Sequence, residues 1–600
     1  MHPMTKAIRI LIFTMFTPSV LSQAYAKANP NAIIEGQRAV PMQSTGGMVV
    51  TSHHLATQIA QKVLQEGGNA IDAAVTAGFA LAVTQPRSGN IGGGGFMLVS
   101  REKTGTVEAI DYREKAPAKA HEKMFQKPDG SVDHQKSRFS HQSAGVPGTV
   151  AGLLLALERH GTIERRKALE PAIRLAEQGF IVPPRFTKGT TKMKDWLTKW
   201  PATKKAFYKP DGSPYQPGER IIQKDLARTL KRIAQKGRKG FYQGPTAQLI
   251  VKDMKANDGL ITLRDLKDYQ PAIRKPVHGN YRGYDVYSMT TPSSGGIHII
   301  QMLNMLEGYP IQSFGHNSAK TIHIMAEVMK RAYADRATHL GDSDFVKVPI
   351  SGLIAKSYSQ KLAKSINLKQ ATPSRDISEG EPPGWESQET THFSIADGQG
   401  NAVSNTYTIN FSYGSGIVVP GAGFLLNNEM DDFSAKPGVP NAYGLIGGAF
   451  NKIEPGKRML SSMSPTIVKK DGKNFIVTGS PGGSRIITTT LQVIMNVIDH
   501  NLNIQSAVNA PRIHHQWHPD EIRIEEGISQ DTVQLLENLG HRVVRRAAMG
   551  AIQSIHIVGN QFYGAPDPRR GTSSARGFFE YKDKPFSNIK YALLQMSPDV

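Results

Sequence analysis

The feature that most constrains the fold of this chain is a change of hydrophobic pattern near residue 390. Downstream of it, short β runs at 391–396 and 402–409 flank Asp397-Gly398-Gln399-Gly400, which is typical of a hairpin turn. Upstream of it, apolar residues recur mostly at helical spacing. That spacing predicts helices over 150–159, 171–178, 296–306 and 321–337.

The first helical unit is compact. Residues 48–83 predict a strand, a cap at Thr51-Ser52 and two helices separated by Gly67-Gly68. The second helix begins at Ala70 and is rich in small residues, so another element can approach it closely.

The last third of the chain mixes both kinds of element. Strands are predicted at 475–478, 555–558 and 561–563, with helices at 486–496 and 531–539 between them. This order predicts an α+β fold in which helices cover the outer faces of layered sheets.

Composition limits the class of protein. The 600 residues contain no Pro-, Ser- or Gly-rich linker, so we expect one compact body. The absence of cysteine excludes disulfides, thiol nucleophiles and cysteine-ligated zinc, and leaves stability to core burial. The formal net charge of +22 suits anionic surroundings such as a cell envelope.

The first 26 residues have the pattern of a signal peptide. Lys6 and Arg9 precede an apolar run at 10–21, and Ala24-Tyr25-Ala26 forms an A-x-A cleavage site. The run is too short to span a bilayer, so we expect cleavage near Lys27 and a secreted or periplasmic protein without a membrane span. Loss of Lys6 and Arg9 lowers the formal charge from +22 to +20.

Basic and aromatic residues alternate between 185 and 209, and two interpretations fit. One is a nucleic-acid-binding patch, with Trp196, Trp200, Phe207 and Tyr208 among the lysines. The other is a solvated helical segment whose rings pack inward. We favour the second, because an exported protein rarely meets nucleic acid and the sequence holds no nucleic-acid-binding module.

Several common catalytic motifs are missing from the sequence. It has no GxSxG elbow, no HExxH helix and no Walker loop, and Gly92-Gly93-Gly94-Gly95 is not followed by Lys-Ser/Thr. These glycines by themselves indicate only a close backbone approach or a turn.

Thr390 stands at the start of the β-rich part, directly after the polar segment 379–388 and Glu389. A threonine at such a boundary could become a chain terminus. Its free α-amine would then take the hydroxyl proton and make the residue a nucleophile without a separate His or Asp. Taken alone, however, an ordinary strand threonine is the better interpretation.

Longer motifs decide between these two interpretations of Thr390. They are GGNAIDAA at 67–74, GNIGGGGFM at 89–97, DYREKAPAKA at 111–120, PSSGGIH at 292–298, TTHFS at 390–394, LLNNEMDDFSAKPGVPNAYGL at 425–445, LSSMSPT at 460–466, GSPGGSRI at 479–486 and NAPRIHHQW at 509–517. Through these motifs the sequence resembles the γ-glutamyltranspeptidase family of N-terminal-nucleophile hydrolases, also called glutathione hydrolases. The resemblance runs from about residue 35 to about 568 and leaves the tail from Arg569 without a match or a role.

The resemblance implies roles for the catalytic residues. The precursor would cut itself between Glu389 and Thr390, and Thr390 would be the nucleophile. Thr408 would hydrogen-bond Thr390 and orient it. The backbone N–H groups of Gly482 and Gly483 would bind the oxyanion.

The resemblance also implies a pocket for a γ-glutamyl group, which carries an α-carboxylate and an α-ammonium on one carbon. Arg113 would clamp the carboxylate. The remaining expected binding residues are Ser461 and Ser462 for the carboxylate, Asn410, Glu429 and Asp432 for the ammonium, and Tyr443 in a lid over the pocket.

The implied product is a four-layer α-β-β-α fold of two intertwined chains, 27–389 and 390–600, that derive from one precursor. It would act on glutathione and related γ-glutamyl compounds and pass the group to water or to an acceptor amino acid or peptide. No metal and no organic cofactor are implied. Two alternatives are an acylase or poly-γ-glutamate-cleaving enzyme on the same scaffold, and an unprocessed basic protein that binds the cell envelope.

Overall fold

The computed structural model describes residues 39–377, 390–436, 438, 439, 445 and 447–580. The predicted signal peptide, Glu389 and Tyr443 therefore lie outside the described residues. The described residues from Pro41 onward form a single compact unit, as expected.

The described residues contain the following β-strands: β1 (Met42–Ser44), β2 (Gly47–Thr51), β3 (Gly94–Ser100), β4 (Val107–Asp111), β5 (Phe180–Ile181), β6 (Arg220–Ile221), β7 (Ala272–Arg274), β8 (Val277–Tyr281), β9 (Tyr284–Ser288), β10 (Thr391–Asp397), β11 (Ala402–Thr408), β12 (Thr466–Lys470), β13 (Lys473–Thr478), β14 (Ile513–His514), β15 (Ile522–Ile524), β16 (Val543–Arg545), β17 (Gln553–Val558), β18 (Gln561–Pro566) and β19 (Ser574–Phe578).

The α-helices of the same residues are α1 (His54–Gln65), α2 (Ala70–Thr84), α3 (His134–Phe139), α4 (Thr149–His160), α5 (Arg165–Gln178), α6 (Pro184–Lys192), α7 (Lys194–Leu197), α8 (Pro201–Phe207), α9 (Lys224–Lys236), α10 (Lys239–Tyr242), α11 (Gly244–Ala256), α12 (Leu263–Asp268), α13 (Gly295–Leu306), α14 (Ile311–Phe314), α15 (Ala319–His339), α16 (Ile350–Leu353), α17 (Lys356–Lys364), α18 (Arg485–Ile498), α19 (Ile504–Asn509) and α20 (Gln530–Asn538).

Two seven-stranded sheets form the centre of the fold. Sheet one has the order β1-β18-β17-β13-β12-β9-β8, and sheet two has the order β19-β2-β10-β11-β3-β4-β7. Within sheet two, β10 pairs antiparallel with both β2 and β11. The strand that follows Thr390 is thus central in its sheet.

Three apolar clusters define four layers. Met48 and Phe96 of sheet two pack with Ile467 and Val477 of sheet one in the layer between the sheets. A second cluster joins the other face of sheet two to α2, α4, α5 and α9, and a third joins the other face of sheet one to α13, α15, α18 and α19. The predicted α-β-β-α arrangement is confirmed.

The predicted helices all form, with two corrections. Helix α5 begins six residues before the predicted start, and Pro171 lies inside it. The lost backbone bond is tolerated because Ala168, Leu169, Ala172 and Ala176 bury a continuous face. The cap of α1 is His53 rather than Thr51-Ser52, since Leu55 N donates to His53 Nδ1 at 3.3 Å.

The basic segment at 185–209 is helical and turns its rings inward, as favoured. Phe207 and Tyr208 are buried, and Trp196 packs edge-on against Phe139 with 5.2 Å between ring centroids. Trp200 packs against His141 in the same manner, also at 5.2 Å.

The glycine run at 92–95 allows a close backbone approach, as its composition indicates. A Cβ on Gly93 would overlap the carbonyl oxygen of Thr408, and one on Gly95 would overlap that of Thr406. The end of β11 can therefore lie directly against the start of β3.

Residues 569–580 of the tail, for which the resemblance implied no role, are part of the fold. Strand β19 pairs with β2 at the edge of sheet two. Thr572 Oγ1 donates to Ser52 O at 2.8 Å just before that strand. Among the described residues, no helix combines the length and apolar character that crossing a bilayer requires.

Candidate active site

The candidate site lies at one edge of sheet two, where β10 begins, β11 and β4 end and β3 begins. Thr391 pairs with Tyr407, so Thr390 lies opposite Thr408 at the open end of the β10–β11 hairpin. Phe96 pairs with Asp111, which brings Arg113, two residues beyond β4, to the same edge. Antiparallel pairing thus gathers residues from both parts of the chain.

Thr390 and Thr408 are in contact. The Thr390 hydroxyl donates to Thr408 Oγ1 at 3.5 Å, at the long limit of a hydrogen bond. Asn410 N donates to the same Thr408 oxygen at 2.8 Å, and Asn410 has a left-handed backbone with φ 70°. Asn410 Nδ2 donates to Asn428 O at 3.0 Å. The loop after β11 therefore fixes the Thr408 hydroxyl next to Thr390.

Arg113 is fully buried at the centre of a cluster of carboxylates. Its Nη1 contacts Glu429 Oε1 and lies 3.5 Å from Glu114 Oε2, and its Nη2 donates to Asp432 Oδ2 at 2.6 Å. Its Nε donates to Met459 O at 3.3 Å. Arg113 thus forms ion pairs with Glu429 and Asp432, two of the three residues expected to face the ammonium.

Burial controls the charge of this cluster. It raises the pKa of Asp432 above the usual aspartate value, although the Arg113 guanidinium opposes the shift. Burial likewise raises the pKa of Glu114 to about 7 and the pKa of Glu429 well above its usual value, again against Arg113. Three carboxylates around one guanidinium bind protons as a coupled group.

Ser461 and Ser462 lie in the segment before β12. Met463 N donates to Ser461 Oγ at 3.1 Å, and Arg336 Nη2 donates to Ser462 Oγ at 3.2 Å. Each oxygen already accepts a bond, so each hydroxyl hydrogen remains able to point to a ligand. Arg336 is buried on α15, and burial lowers its pKa to about 10.

The glycine pair immediately precedes α18. Gly482 has φ 138° and Gly483 has φ 57°, which are conformations that residues with a side chain rarely adopt. Gly483 lines the site cavity. The position favours a developing negative charge, because N–H groups at a helix start are unpaired within the helix and carry its positive dipole end.

A second group of contacts holds the backbone at Thr390 from another side. Arg570 Nη1 donates to Thr390 O at 3.0 Å, and the hydroxyls of Ser52 and Thr391 are 2.6 Å apart. His392 is buried and contacts Thr406 Oγ1 at 2.8 Å, and burial lowers its pKa to about 3. His392 is therefore neutral and is hydrogen-bonded to strand neighbours.

One cavity collects the predicted residues. The predicted residues that line it are Arg113, Thr390, Thr408, Asn410, Glu429, Asp432, Ser461, Ser462 and Gly483. Gly482 is adjacent to this lining, and Glu389 and Tyr443 lie outside the described residues.

Sequence reasoning missed two arginines of the site. Arg336 lines the cavity from a helix 54 residues before Thr390 in the chain, and Arg570 contacts Thr390 from the tail. Neither has a local pattern that signals a site, and Arg570 lies in the tail to which the resemblance gives no role.

Comparisons with known proteins agree with this geometry. The sequence model of the family described as gamma-glutamyltranspeptidase matches residues 56–577. The glutathione hydrolase proenzyme of Escherichia coli (strain K12) is 49% identical over 574 residues, covering 95% of this chain and 99% of that protein. The match to residue 577 also corrects the expected end of the resemblance near residue 568.

Solved structures show the same architecture. A cephalosporin acylase from Bacillus halodurans has a TM-score of 0.78 at 27% identity, covering 90% of this chain and 97% of that one. The γ-glutamyltranspeptidase of Helicobacter pylori has a TM-score of 0.54 at 48% identity, covering 55% and 94%.

Fold and site together define an N-terminal-nucleophile hydrolase. Within that class, the chain belongs to the γ-glutamyltranspeptidase family. It is therefore an enzyme, and the alternative of a non-enzymatic envelope-binding protein is not supported.

Proposed function

We propose that this protein cuts itself between Glu389 and Thr390 and then hydrolyses or transfers γ-glutamyl groups through an ester on Thr390. The observation that supports this most strongly is one cavity that holds the Thr390 hydroxyl, the Gly483 backbone and the Arg113–Asp432 pair. The cavity therefore combines a nucleophile, a hydrogen-bond donor for the oxyanion and charged groups that can bind both the α-carboxylate and the α-ammonium of an amino acid.

Self-cleavage comes first. The Thr390 hydroxyl attacks the Glu389 carbonyl carbon, the peptide C–N bond breaks, and the nitrogen takes up a proton as the new α-amine. Water then hydrolyses the ester that joins the two chains. The uncut chain lacks the amine that serves as base in turnover, so it should be inactive.

In turnover, the Thr390 amine accepts the hydroxyl proton while the oxygen attacks the γ-carbonyl of the donor. The N–H groups of Gly482 and Gly483 stabilise the oxyanion. The donor C–N bond breaks, its nitrogen takes the proton, and the γ-glutamyl ester remains. Water or the amine of an acceptor amino acid or peptide then attacks that ester.

The charged cluster explains selection for γ-glutamyl donors. Arg113 Nη2 donates to Asp432 Oδ2 at 2.6 Å, so the two charges neutralise each other. A zwitterionic α-amino acid head can replace both contacts, with its carboxylate on Arg113 and the two serine hydroxyls and its ammonium on Asp432. A ligand that carries only the carboxylate would draw Arg113 away from Asp432 and leave the Asp432 carboxylate buried without its partner.

The fold leaves the acylase alternative open, since a cephalosporin acylase shares it. The Arg113–Asp432 pair favours the γ-glutamyl substrate, because an acyl group without an α-ammonium does not need an opposed pair of charges.

We also propose export through the signal peptide at 1–26.

The covalent intermediate provides a direct test. Processed enzyme is mixed with γ-glutamyl-p-nitroanilide, quenched in acid and analysed by mass spectrometry. We expect one γ-glutamyl group on the chain that begins at Thr390, located on Thr390 by fragmentation. An adduct on another residue, or turnover with no trapped adduct, would contradict the mechanism.

The contact between Thr390 and Thr408 gives a second prediction. Thr408→Ala should slow both self-cleavage and turnover, because one oriented hydrogen bond to the nucleophile is worth on the order of 1 kcal/mol, about a fivefold rate effect. Thr408→Ser keeps the hydroxyl and should remain close to wild type. Time courses of band conversion and single-turnover kinetics measure both steps, and unchanged rates in Thr408→Ala would make Thr408 an ordinary strand residue.

The raised pKa of Asp432 predicts an acid limb in substrate binding. As pH falls through this raised pKa, Asp432 gains a proton and no longer attracts the α-ammonium, so KM for γ-glutamyl donors should rise. Glu114 and Glu429 also interact with Arg113, and Arg336 also acts on Asp432. The pH dependence of KM therefore reports the protonation of the whole cluster. A KM that stays constant down to pH 4 would contradict this assignment.

A further inference from the structure

A groove of about 800 Å³ opens between α8, α9, the end of α11 and the turn at 417–423. Its volume is within the roughly 300–1,000 Å³ that is usual for small-molecule sites. It shares no lining residue with the Thr390 cavity. The catalytic cycle above therefore leaves it without a role.

Part of the groove lining is apolar. Val419 and Leu226 belong to it but are only 0% and 2% exposed, so the apolar surface open to a ligand comes from other side chains. Trp200 and Pro420 line its sides, and Ile222 is 45% exposed at its opening. Together they offer a ligand an apolar surface larger than a single exposed side chain provides.

The opening carries excess positive charge. Lys199 and Lys205 lie on the α8 side and Lys224 lies on the α9 side, and all three are exposed. None of them forms an ion pair with another residue that the structure describes. Their long aliphatic stems can lie along the apolar walls while the ammonium groups stay in water.

The acidic residues of the groove do not neutralise the positive charge of these lysines. Asp225 forms an ion pair with Arg228. Asp253 contacts His141 Nε2 at 3.1 Å and also accepts from Asn257 Nδ2 at 3.3 Å. The two carboxylates thus have partners of their own, and the charge of the lysines remains for a ligand.

We propose that this groove binds a long-chain carboxylate, with its carboxylate among Lys199, Lys205 and Lys224 and its alkyl chain along Trp200 and Ile222. Charge complementarity supports the head group, and the exposed apolar side chains support the alkyl chain.

Two macromolecular ligands fit the groove less well. Its walls are helix side chains and a turn rather than a strand edge, so an extended peptide could not pair with it through backbone hydrogen bonds. Trp200 is the aromatic residue of the lining, whereas Phe207 and Tyr208 are buried, so successive bases of a nucleic acid find no stacking platform.

Calorimetry with the processed wild-type enzyme tests the proposal. Decanoate, below its micelle concentration, should bind with one molecule per enzyme and change the tryptophan fluorescence. Butyrate lacks the chain and decyltrimethylammonium lacks the negative charge, so both should bind at least tenfold more weakly. The fluorescence change should disappear in Trp200→Phe.

Variants localise the site. Lys205→Glu combined with Lys224→Glu, and separately Ile222→Asp, should weaken decanoate binding at least tenfold. Lys192→Glu, an exposed lysine outside the groove, should not change it. Unchanged γ-glutamyl anilide hydrolysis shows that each variant is folded.

Three results would overturn the proposal. The first is decanoate binding that the groove variants do not weaken. The second is binding of butyrate or decyltrimethylammonium as tightly as decanoate. The third is that the enzyme does not bind decanoate but binds an acidic peptide or an oligonucleotide at the groove.

Discussion

Thr390→Ala should leave a single full-length band after purification and no detectable activity on γ-glutamyl-p-nitroanilide. The substitution removes the hydroxyl that attacks the Glu389 carbonyl, and without cleavage the amine that serves as base never forms. Denaturing electrophoresis with N-terminal sequencing of each band measures the outcome. The wild type should give two bands, with Thr390 as the first residue of the smaller one.

Two further variants separate chemistry from folding. Thr390→Ser keeps a hydroxyl and should process more slowly. Thr198→Val is a matched control of the same shape, because the Thr198 hydroxyl donates to Lys194 O at 2.8 Å and Thr198 does not line the cavity, so this variant should still be cut. A new terminus at any residue other than Thr390, or full cleavage of Thr390→Ala, would contradict self-processing by this residue.

Arg113→Ala and Asp432→Ala should each lower kcat/KM on γ-glutamyl donors by roughly tenfold to several thousandfold. Truncating one partner of a desolvated charge pair costs roughly 2–5 kcal/mol, much of it from the charge left alone. Arg113→Lys should also lose much of the activity, since an ammonium cannot reproduce a two-pronged contact. Self-cleavage should suffer less, because the scissile bond presents no free α-amino acid head.

Steady-state kinetics of processed variants on a γ-glutamyl anilide and a glutaryl anilide measure this specificity. Arg138→Ala is the matched control: it breaks the 3.1 Å ion pair between Arg138 and Asp431, one residue from Asp432 but outside the cavity lining. Full γ-glutamyl activity in both cavity variants, or a wild type that prefers the glutaryl compound, would establish the acylase alternative instead.

Some of this site follows from local sequence. The turn at 397–400 sets an antiparallel register in which Ala396 faces Ala402, and the same register continued to the open end places Thr390 opposite Thr408. Hydrophobic spacing also predicted helices at positions where the structure has them, such as α4, α13, α15 and α18. These features depend on residues close in the chain, so periodicity and turn chemistry suffice to predict them.

Helix ends were harder to predict. The start of α5 and the cap of α1 were wrong because burial of an apolar face and one His53 contact outweighed the local signals of Pro171 and Thr51-Ser52. The resemblance to a family supplied candidate roles for Arg113 and Asp432, and their 2.6 Å contact became visible only in the folded chain.

By itself, the sequence determined the α+β class, the hairpin that carries Thr390 and the family that supplies its chemistry. Only the tertiary structure decided that Arg336 and Arg570 reach the site and that three carboxylates surround Arg113. It also decided that β19, in the tail, forms the edge strand of sheet two. The physical reason is distance along the chain. Contacts between residues tens to hundreds of positions apart depend on how the two sheets and their helices pack, and no local periodicity encodes that packing.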